Sequence, residues 1–403
     1  MRALDAGEQI TEGSAFEVFK VFLVRGLTSF GGPVAHLGYY HEAFVKKRGW
    51  LSDAAYADLI ALCQFLPGPA SSQVGMAIGL MRAGYLGMLA AFVGFTLPSA
   101  LLMYGFAEAF GFLSPLIGSG WIAGLKAAAV AVVALALLGM ARKLTPDLRR
   151  LTMAAGCAAL VLGMHTPWTQ LGAILIGALL GLFVIPNKAV ETREAEAAID
   201  TKVGRRLGVA AFGIFVLLLF VAFMLRGSPT GIGLAAHFYH AGALVFGGGH
   251  VVLPLLETEV VDPGLVSRDA FLAGYGAAQA LPGPLFAFSA YLGSLAQTPL
   301  AGAVGGLVAL LAIFLPGALL VVAALPFWRE LQHAPGARRA LAGVNAAVVG
   351  ILAAALYDPV FTAGVNSLDS FAVATSAFLA LLVPRVPAWA VVIAAAGVGA
   401  VIL

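Results

Sequence analysis

Long apolar stretches alternate with short polar ones along the whole chain. Uncharged runs cover 26–41, 59–81, 83–107, 127–141, 151–187, 207–225, 227–256, 270–328, 340–357, 370–384 and 386–403. A helix that crosses a bilayer needs about 20 apolar residues, fewer where flanking side chains snorkel. The runs therefore predict an all-α, polytopic membrane protein of about 10 to 13 membrane segments, several of them short. Run 151–187 suits two short helices, with a turn signal at His165-Thr166-Pro167-Trp168. In run 270–328, Pro282-Gly283-Pro284 and Thr298-Pro299 mark one broken element and one long helix.

Composition narrows the class. Of 403 residues, 61% are apolar and 11% charged, where a soluble domain spends about 25% on charge. Mean hydropathy is +0.96. This excludes a cytosolic enzyme, a nucleic-acid binder and a disordered chain. The 49 glycines and 20 prolines lie within the apolar material, which excludes a single-anchor protein. Cys63 and Cys157 read as packed thiols. Residues 1–14 show no basic start before an apolar stretch, so no cleavable signal is expected.

Charge gives orientation. Arg142, Lys143, Arg149 and Arg150 precede a short helical pair, and Lys188, Arg193, Lys202, Arg205 and Arg206 follow it. Two crossings separate the clusters, so both can face the cytoplasm. Three regions result: a first transmembrane repeat (1–187), a charged cytoplasmic linker (188–206), and a second repeat preceded by an extra span (207–403).

The repeat is legible in ordered matches. Gln64-Phe65-Leu66-Pro67-Gly68-Pro69 returns as Gln279-Ala280-Leu281-Pro282-Gly283-Pro284, and Phe30-Gly31-Gly32-Pro33 as Phe246-Gly247-Gly248-Gly249. Gly49 and Ser52 match Gly264 and Ser267, Leu97-Pro98 matches Leu315-Pro316, and Gly124-Leu125-Lys126-Ala127-Ala128 matches Gly343-Val344-Asn345-Ala346-Ala347. The loop after the Pro98 helix is uncharged, whereas its counterpart carries Arg329, Arg338 and Arg339, so the halves should be inverted. Span 207–225 lacks a counterpart and would flip the second repeat. Inverted repeats with broken or re-entrant helices point to a secondary transporter with a midplane site; a channel is the competing class.

Leu-Pro-Gly-Pro cannot continue a helix, and freed backbone at membrane depth must be satisfied by protein or a wet cavity. A helix restarting with Pro69 or Pro284 at its first position would aim its N–H groups at the break, an anion site. The alternative is a buried kink. Ser71, Ser72 and Gln73 follow the first break, whereas Leu285, Phe286, Ala287 and Phe288 follow the second. Lys126 matches uncharged Asn345, and Arg25 matches Ala241, so the ligand is placed nearer the first half. His36, His41, His237, His240 and His250 could couple protons, although each alone reads as a packed histidine. Gly31 and Gly32, like Gly247 and Gly248, suit close helix packing or a second broken helix per half. Catalytic, nucleotide and metal motifs are lacking, so no enzyme activity and no cofactor are expected.

Thr28-Ser29-Phe30-Gly31-Gly32-Pro33-Val34-Ala35-His36, Gln64 to Gln73 and Gly94-Phe95-Thr96-Leu97-Pro98-Ser99 resemble first-half motifs of the chromate transporter family. Phe246 to Pro254, Gln279 to Leu285 and Gly343 to Gly350 resemble its second-half motifs, so that the resemblance covers roughly residues 15–360 and the long, two-domain branch. It implies a multi-pass carrier of the bacterial inner membrane that expels chromate and confers resistance, with sulfate as a similar oxyanion. By motif, the implied functional positions are Gly31, Gly32, Pro33, Gln64, Pro67, Gly68, Pro69 and Gln73, with Gly248, His250, Gln279, Pro282, Gly283 and Pro284 opposite. A coupling proton or counter-anion and a homodimeric assembly stay open here.

Overall fold

The computed structural model describes residues 13–117, 119–164, 169–186, 203–228, 230–246, 252–332, 334–383 and 385–403. The turn at 165–168, most of the 188–206 linker, and Gly248 and His250 lie outside the described residues. Among the described residues the structure is helical and contains no strand. The first half holds α1 (Ala15–Thr28), α2 (Gly32–Tyr40, continued by a wide turn His41–Lys47), α3 (Asp53–Phe65), α4 (Ala70–Ile117), α5 (Gly120–Leu144), α6 (Leu148–Gly163) and α7 (Thr169–Val184). After α8 (Arg205–Leu225) come α9 (Gly231–Leu244), α10 (Val252–Val260), α11 (Arg268–Ala278), α12 (Phe288–Leu295), α13 (Gly302–Ala324), α14 (Trp328–Gln332), α15 (Pro335–Ala355), α16 (Thr362–Gly364), α17 (Leu368–Leu381) and α18 (Ala388–Ile402).

Among the described residues, five stretches are long and apolar enough to cross a membrane: Ala70–Phe110, Gly120–Leu144, Arg205–Leu225, Gly302–Phe327 and Pro335–Gly364. The first folds back on itself. Ala83 and Gly84 leave helical geometry (Gly84 φ 65°), and a Cβ on Gly79 would lie 2.8 Å from that of Ala91. Residues this far apart in a straight helix would stand about 18 Å apart. The second half builds the same hairpin from α12 and α13, where Gly293 meets Gly305 and Ala309.

Local chemistry explains why the repeat keeps Gly-x-x-Ser. Gly49 and Gly264 both turn the chain at positive φ (58° and 78°). Ser52 and Ser267 then cap α3 and α11, accepting from the N–H groups of Ala55 and Ala270 at 3.1 and 3.3 Å.

Each half dips two hairpins into the molecule. In the first, Gly13 donates to the Arg82 carbonyl at 3.1 Å. Arg82 also pairs with Glu17 (3.2 Å) and lies over the Trp50 ring (4.9 Å). The starts of α1 and α3 and the far end of the first α4 arm thus share one end of the molecule. In the second half, Arg226 meets Glu259 (2.9 Å) and Gln297 N–H donates to the Leu265 carbonyl (2.9 Å). This cluster lies at the opposite end. The long α4 arm leaves the first end at Gly84, passes Gly283 at Ser99, and reaches Tyr291 of α12 with Phe106 and Phe110. The hairpins therefore enter from opposite ends, an inverted arrangement. Uncharged runs 26–41, 59–81 and 227–256, expected as spans, each straddle a reversal between two short helices.

The halves also exchange their last helices. α5 packs on α17 and α18, with Gly120 and Gly124 against Gly399 and Ala395, while α15 packs on α6 and α7, with Gly343 against Gly177 and Gly181. Small residues let these backbones touch, which is what holds helices together where lipid is as apolar as a side chain.

Candidate functional site

The two Leu-Pro-Gly-Pro breaks meet where the hairpin tips converge, and each is held by the other half. Gly68 N–H donates to the Val245 carbonyl at 2.6 Å, and Gly283 N–H to the Ser29 carbonyl at 2.9 Å. Val245 and Ser29 each precede a repeated Phe-Gly, so one contact is made twice. Gly68 and Gly283 have φ of 123° and 92°, a region that suits glycine. A Cβ on Gly68 would lie 3.3 Å from Gly317 Cα, and one on Gly283 2.7 Å from Ser99 Oγ. Gly317 and Ser99 each follow the repeated Leu-Pro, which explains why that pair recurs.

The breaks differ chemically. α4 opens at Ala70, so Pro69 occupies the cap position, one residue earlier than expected; its carbonyl accepts from Gln73 N–H at 2.9 Å. The N–H groups of Ala70, Ser71 and Ser72 have no partner within the helix. Pro284 instead caps a 3-10 turn, Leu285–Ala287, before α12 begins at Phe288. Only the first break opens directly on an α-helical N-terminus.

Around that terminus the polar groups are buried. The Gln73 side chain turns back and donates from Nε2 to the Pro67 carbonyl (2.8 Å), tying the break to the first turn. Its Oε1, the hydroxyl of Ser72 and those of Ser29 and Thr96 are buried without a hydrogen-bond partner. His36 joins the pieces: Nε2 lies 3.2 Å from the Ser29 carbonyl and Nδ1 3.3 Å from Ser71 Oγ. A carbonyl only accepts, so Nε2 carries the proton and Nδ1 takes the Ser71 hydroxyl. His36 also meets the ring of Phe95 edge-on at 5.3 Å.

Gly31 (φ 95°) and Gly32 (φ 76°) turn the chain at the tip of the first hairpin, and Pro33 sits in the first turn of α2. A second break is thus present in the first half. Gln64 is exposed at the end of α3, whereas its counterpart Gln279 is half-buried with Nε2 unpaired. Pro282 and Gly283 complete the opposing break. Arg25 lies in the last turn of α1, where a cation suits the helix dipole, and its Nε is buried without a partner. Asn345, on α15, likewise has a buried, unpaired Oδ1.

Lys126 stands elsewhere. Its Nζ pairs with Asp269 at 2.9 Å, at the start of α11, about 15 Å along that helix from the break. The ligand of Lys126 in this structure is a carboxylate, and the pair joins the two halves across a sequence gap invisible to local reading. Ser29, Thr96 and Ser99 were not among the expected site residues, and His36 was one only as a histidine that could couple protons. Their signal was present, since each is a polar residue inside an apolar motif. A separate cavity of about 420 Å³ between α5, α15 and α17 is lined mostly by apolar side chains such as Val130, Leu356, Phe371 and Phe378, with Tyr357 and Thr375 as its hydroxyl-bearing residues.

The family model of the chromate transporter matches residues 16–182 and 232–400, leaving α8 between the two matched regions. A chromate transport protein of Pseudomonas aeruginosa is 28% identical over 85% of this chain and 80% of its own length. A probable chromate transport protein of Synechococcus elongatus is 28% identical over 88% and 89%. A chromate transport protein of Cupriavidus metallidurans is 27% identical over 83% and 80%. No solved structure matches the chain at a significant level.

Proposed function

The chain belongs to the chromate transporter family, and from that premise we propose that it is a secondary transporter that carries chromate out across the bacterial inner membrane and confers resistance. The observation that carries this reading is the reciprocal pinning of the two breaks, with unpaired polar groups on one of them. Chromate is a tetrahedral dianion and needs many donors. The first-turn N–H groups of α4, the Ser72 hydroxyl and the positive helix end supply them without a fixed cation, while Ser71, its proton given to His36 Nδ1, holds the wall of the cradle. Gln73, Pro67, Gly68 and Pro69 shape this cradle, Gly31, Gly32 and Pro33 form its roof, and Gln64, Gln279, Pro282, Gly283 and Pro284 close it from the other side. Arg25 adds positive field nearby, while Lys126 and Asn345 mark the two cross-half contacts of α5 and α15.

Alternating access is supported by unequal packing of related pairs. α5 lies along α11, where a Cβ on Gly276 would come within 2.6 Å of the Leu125 carbonyl. The related pair, α15 and α3, shows no comparable packing. Exchanging these contacts would open the site to one side at a time. Lys46, Lys47, Arg48, Arg142 and Lys143 orient the first end towards the cytoplasm. Purified protein in liposomes is expected to give saturable chromate uptake and counterflow. Conductance that never saturates would overturn the carrier in favour of a channel. Sulfate is the second candidate on the same chemistry, and competition between the two oxyanions ranks them.

A further inference from the structure

Away from the breaks, the second half buries a cluster of ionisable groups that the first half does without. Glu259, on α10, lies 2.9 Å from Arg226 Nη1 through Oε1, 2.7 Å from His237 Nδ1 through Oε2, and 2.7 Å from His240 Nδ1 through Oε1. Its side chain is 5% exposed, and those of the two histidines 11% and 12%. The repeat supplies an internal control. By the repeat, Glu259 falls at the buried, apolar Ala43 or Phe44, and His237 and His240 at Val21 and Val24. There the same hairpin is held by Phe22 stacked on Phe44 (5.0 Å) and Phe44 on Trp50 (4.9 Å). Apolar packing suffices for the fold, and buried ion clusters are commonly no more stable than apolar replacements. The charges need another reason.

We propose that Glu259, His237, His240 and Arg226 form a proton-binding site, the coupling site of the carrier, an inference that rests on the transport reading above. Arg226 balances the Glu259 carboxylate. His237 donates its Nδ1–H to that carboxylate, which leaves its Nε2 to take a proton, turning imidazole into imidazolium and adding one positive charge; His240 Nδ1 stands beside Oε1 without the alignment of a hydrogen bond. The other charged groups near the cluster are few. Glu257, on the same helix, faces Arg268 of α11 (3.4 Å). Asp262 lies in the turn beyond α10, its N–H donating to the Glu257 carbonyl at 3.2 Å. α13, which packs on α9, carries no charged residue, and the Gln170 side chain of α7 that touches α10 is neutral. α9 links cluster to break: it carries both histidines and ends beside Val245, whose carbonyl holds Gly68.

The test uses the full chain in liposomes under voltage clamp, with chromate flux and internal pH read together. Wild type is expected to accumulate chromate about tenfold per pH unit for each coupled proton. H240Q and E259Q are expected to keep chromate exchange without a pH gradient and lose the pH-driven accumulation and the proton flux. R226A/H237V/H240V/E259F removes Arg226 together with its partners, so that no cation of the cluster is left without its counter-charge, and guards against misfolding; it should exchange chromate and not couple. Variants that still accumulate like wild type, or wild-type flux with no proton movement, overturn the proton site and leave chromate transport standing. Absence of chromate exchange in wild type overturns the transport reading itself, and the coupling site with it.

Discussion

Replacing Gly68 by alanine tests the crossed breaks most directly. The backbone there has φ of 123°, outside the region that residues with a Cβ adopt, at a cost of about 1–3 kcal/mol. The new methyl would also stand 2.9 Å from Gln73 Nε2 and 3.3 Å from Gly317 Cα. Gly317 is backbone and cannot yield, so the Gln73 amide must move off the Pro67 carbonyl, losing a hydrogen bond of about 1 kcal/mol. Together these give about 2–4 kcal/mol concentrated at the cradle, enough to lower chromate transport by more than about tenfold. Gly49 is the control: its φ is also positive (58°), yet a Cβ there meets nothing within 4 Å. Gly49→Ala should pay backbone strain alone and transport within about twofold of wild type. Transport is read as initial chromate uptake into proteoliposomes, with gel filtration reporting the fold. If Gly68→Ala and Gly49→Ala transport equally well, the breaks are packing elements and the cradle is elsewhere.

Ser71 and Ser72 should separate structure from binding. Ser72→Ala removes a hydroxyl with no protein partner and should weaken chromate binding by about 10- to 100-fold at unchanged thermal stability. Ser71→Ala strands His36 Nδ1 and should lower stability by about 1 kcal/mol as well, seen in a melting series. Lys126→Asp and Asp269→Lys should each impair transport, and the double swap should restore it; a swap no better than either single change would refute a cross-half latch. Asp53 accepts hydrogen bonds from His41 (2.6 Å) and Lys46 (3.2 Å), which hold its carboxyl below the usual range. Its contribution is therefore present above about pH 4, the unfolded-state value, and lost as pH falls through the lower folded one. Asp53→Ala should flatten the acid limb of the stability curve, and an unchanged limb would show that these contacts contribute nothing.

The breaks were legible because proline and glycine constrain backbone locally, and the duplication because it is written in order along the chain. Reversals were not. An uncharged run such as 59–81 has the same composition whether the chain crosses or turns back at Pro67 and Gly68, since both environments are apolar. Contacts between halves were equally hidden. Lys126 looked unpaired because Asp269 is distant in sequence, and its apparent isolation invited a ligand role that the ion pair now accounts for. His36 was undervalued for the opposite reason: a single buried histidine has a bland reading until its two neighbours, Ser29 and Ser71, are seen to come from different hairpins.

Where the repeats agree and where they differ divides scaffold from chemistry. The agreed positions (Gly68 and Gly283, Gly49 and Gly264, Ser52 and Ser267) all fix backbone, through a turn, a close approach or a cap. These are geometric needs, and the same fold imposes them twice. The positions that differ bear the functional groups. Ser71, Ser72 and Gln73 stand where the second half has Phe286, Ala287 and Phe288, and Glu259 with its histidines stands where the first half has apolar residues. A symmetric scaffold lets two conformations have similar energy, because each is nearly the other with the halves exchanged. Unequal chemistry on that scaffold then lets a bound anion or proton decide between them, since a ligand shifts an equilibrium only by its difference in affinity for the two states. Equalising the halves should abolish that bias while leaving the fold intact.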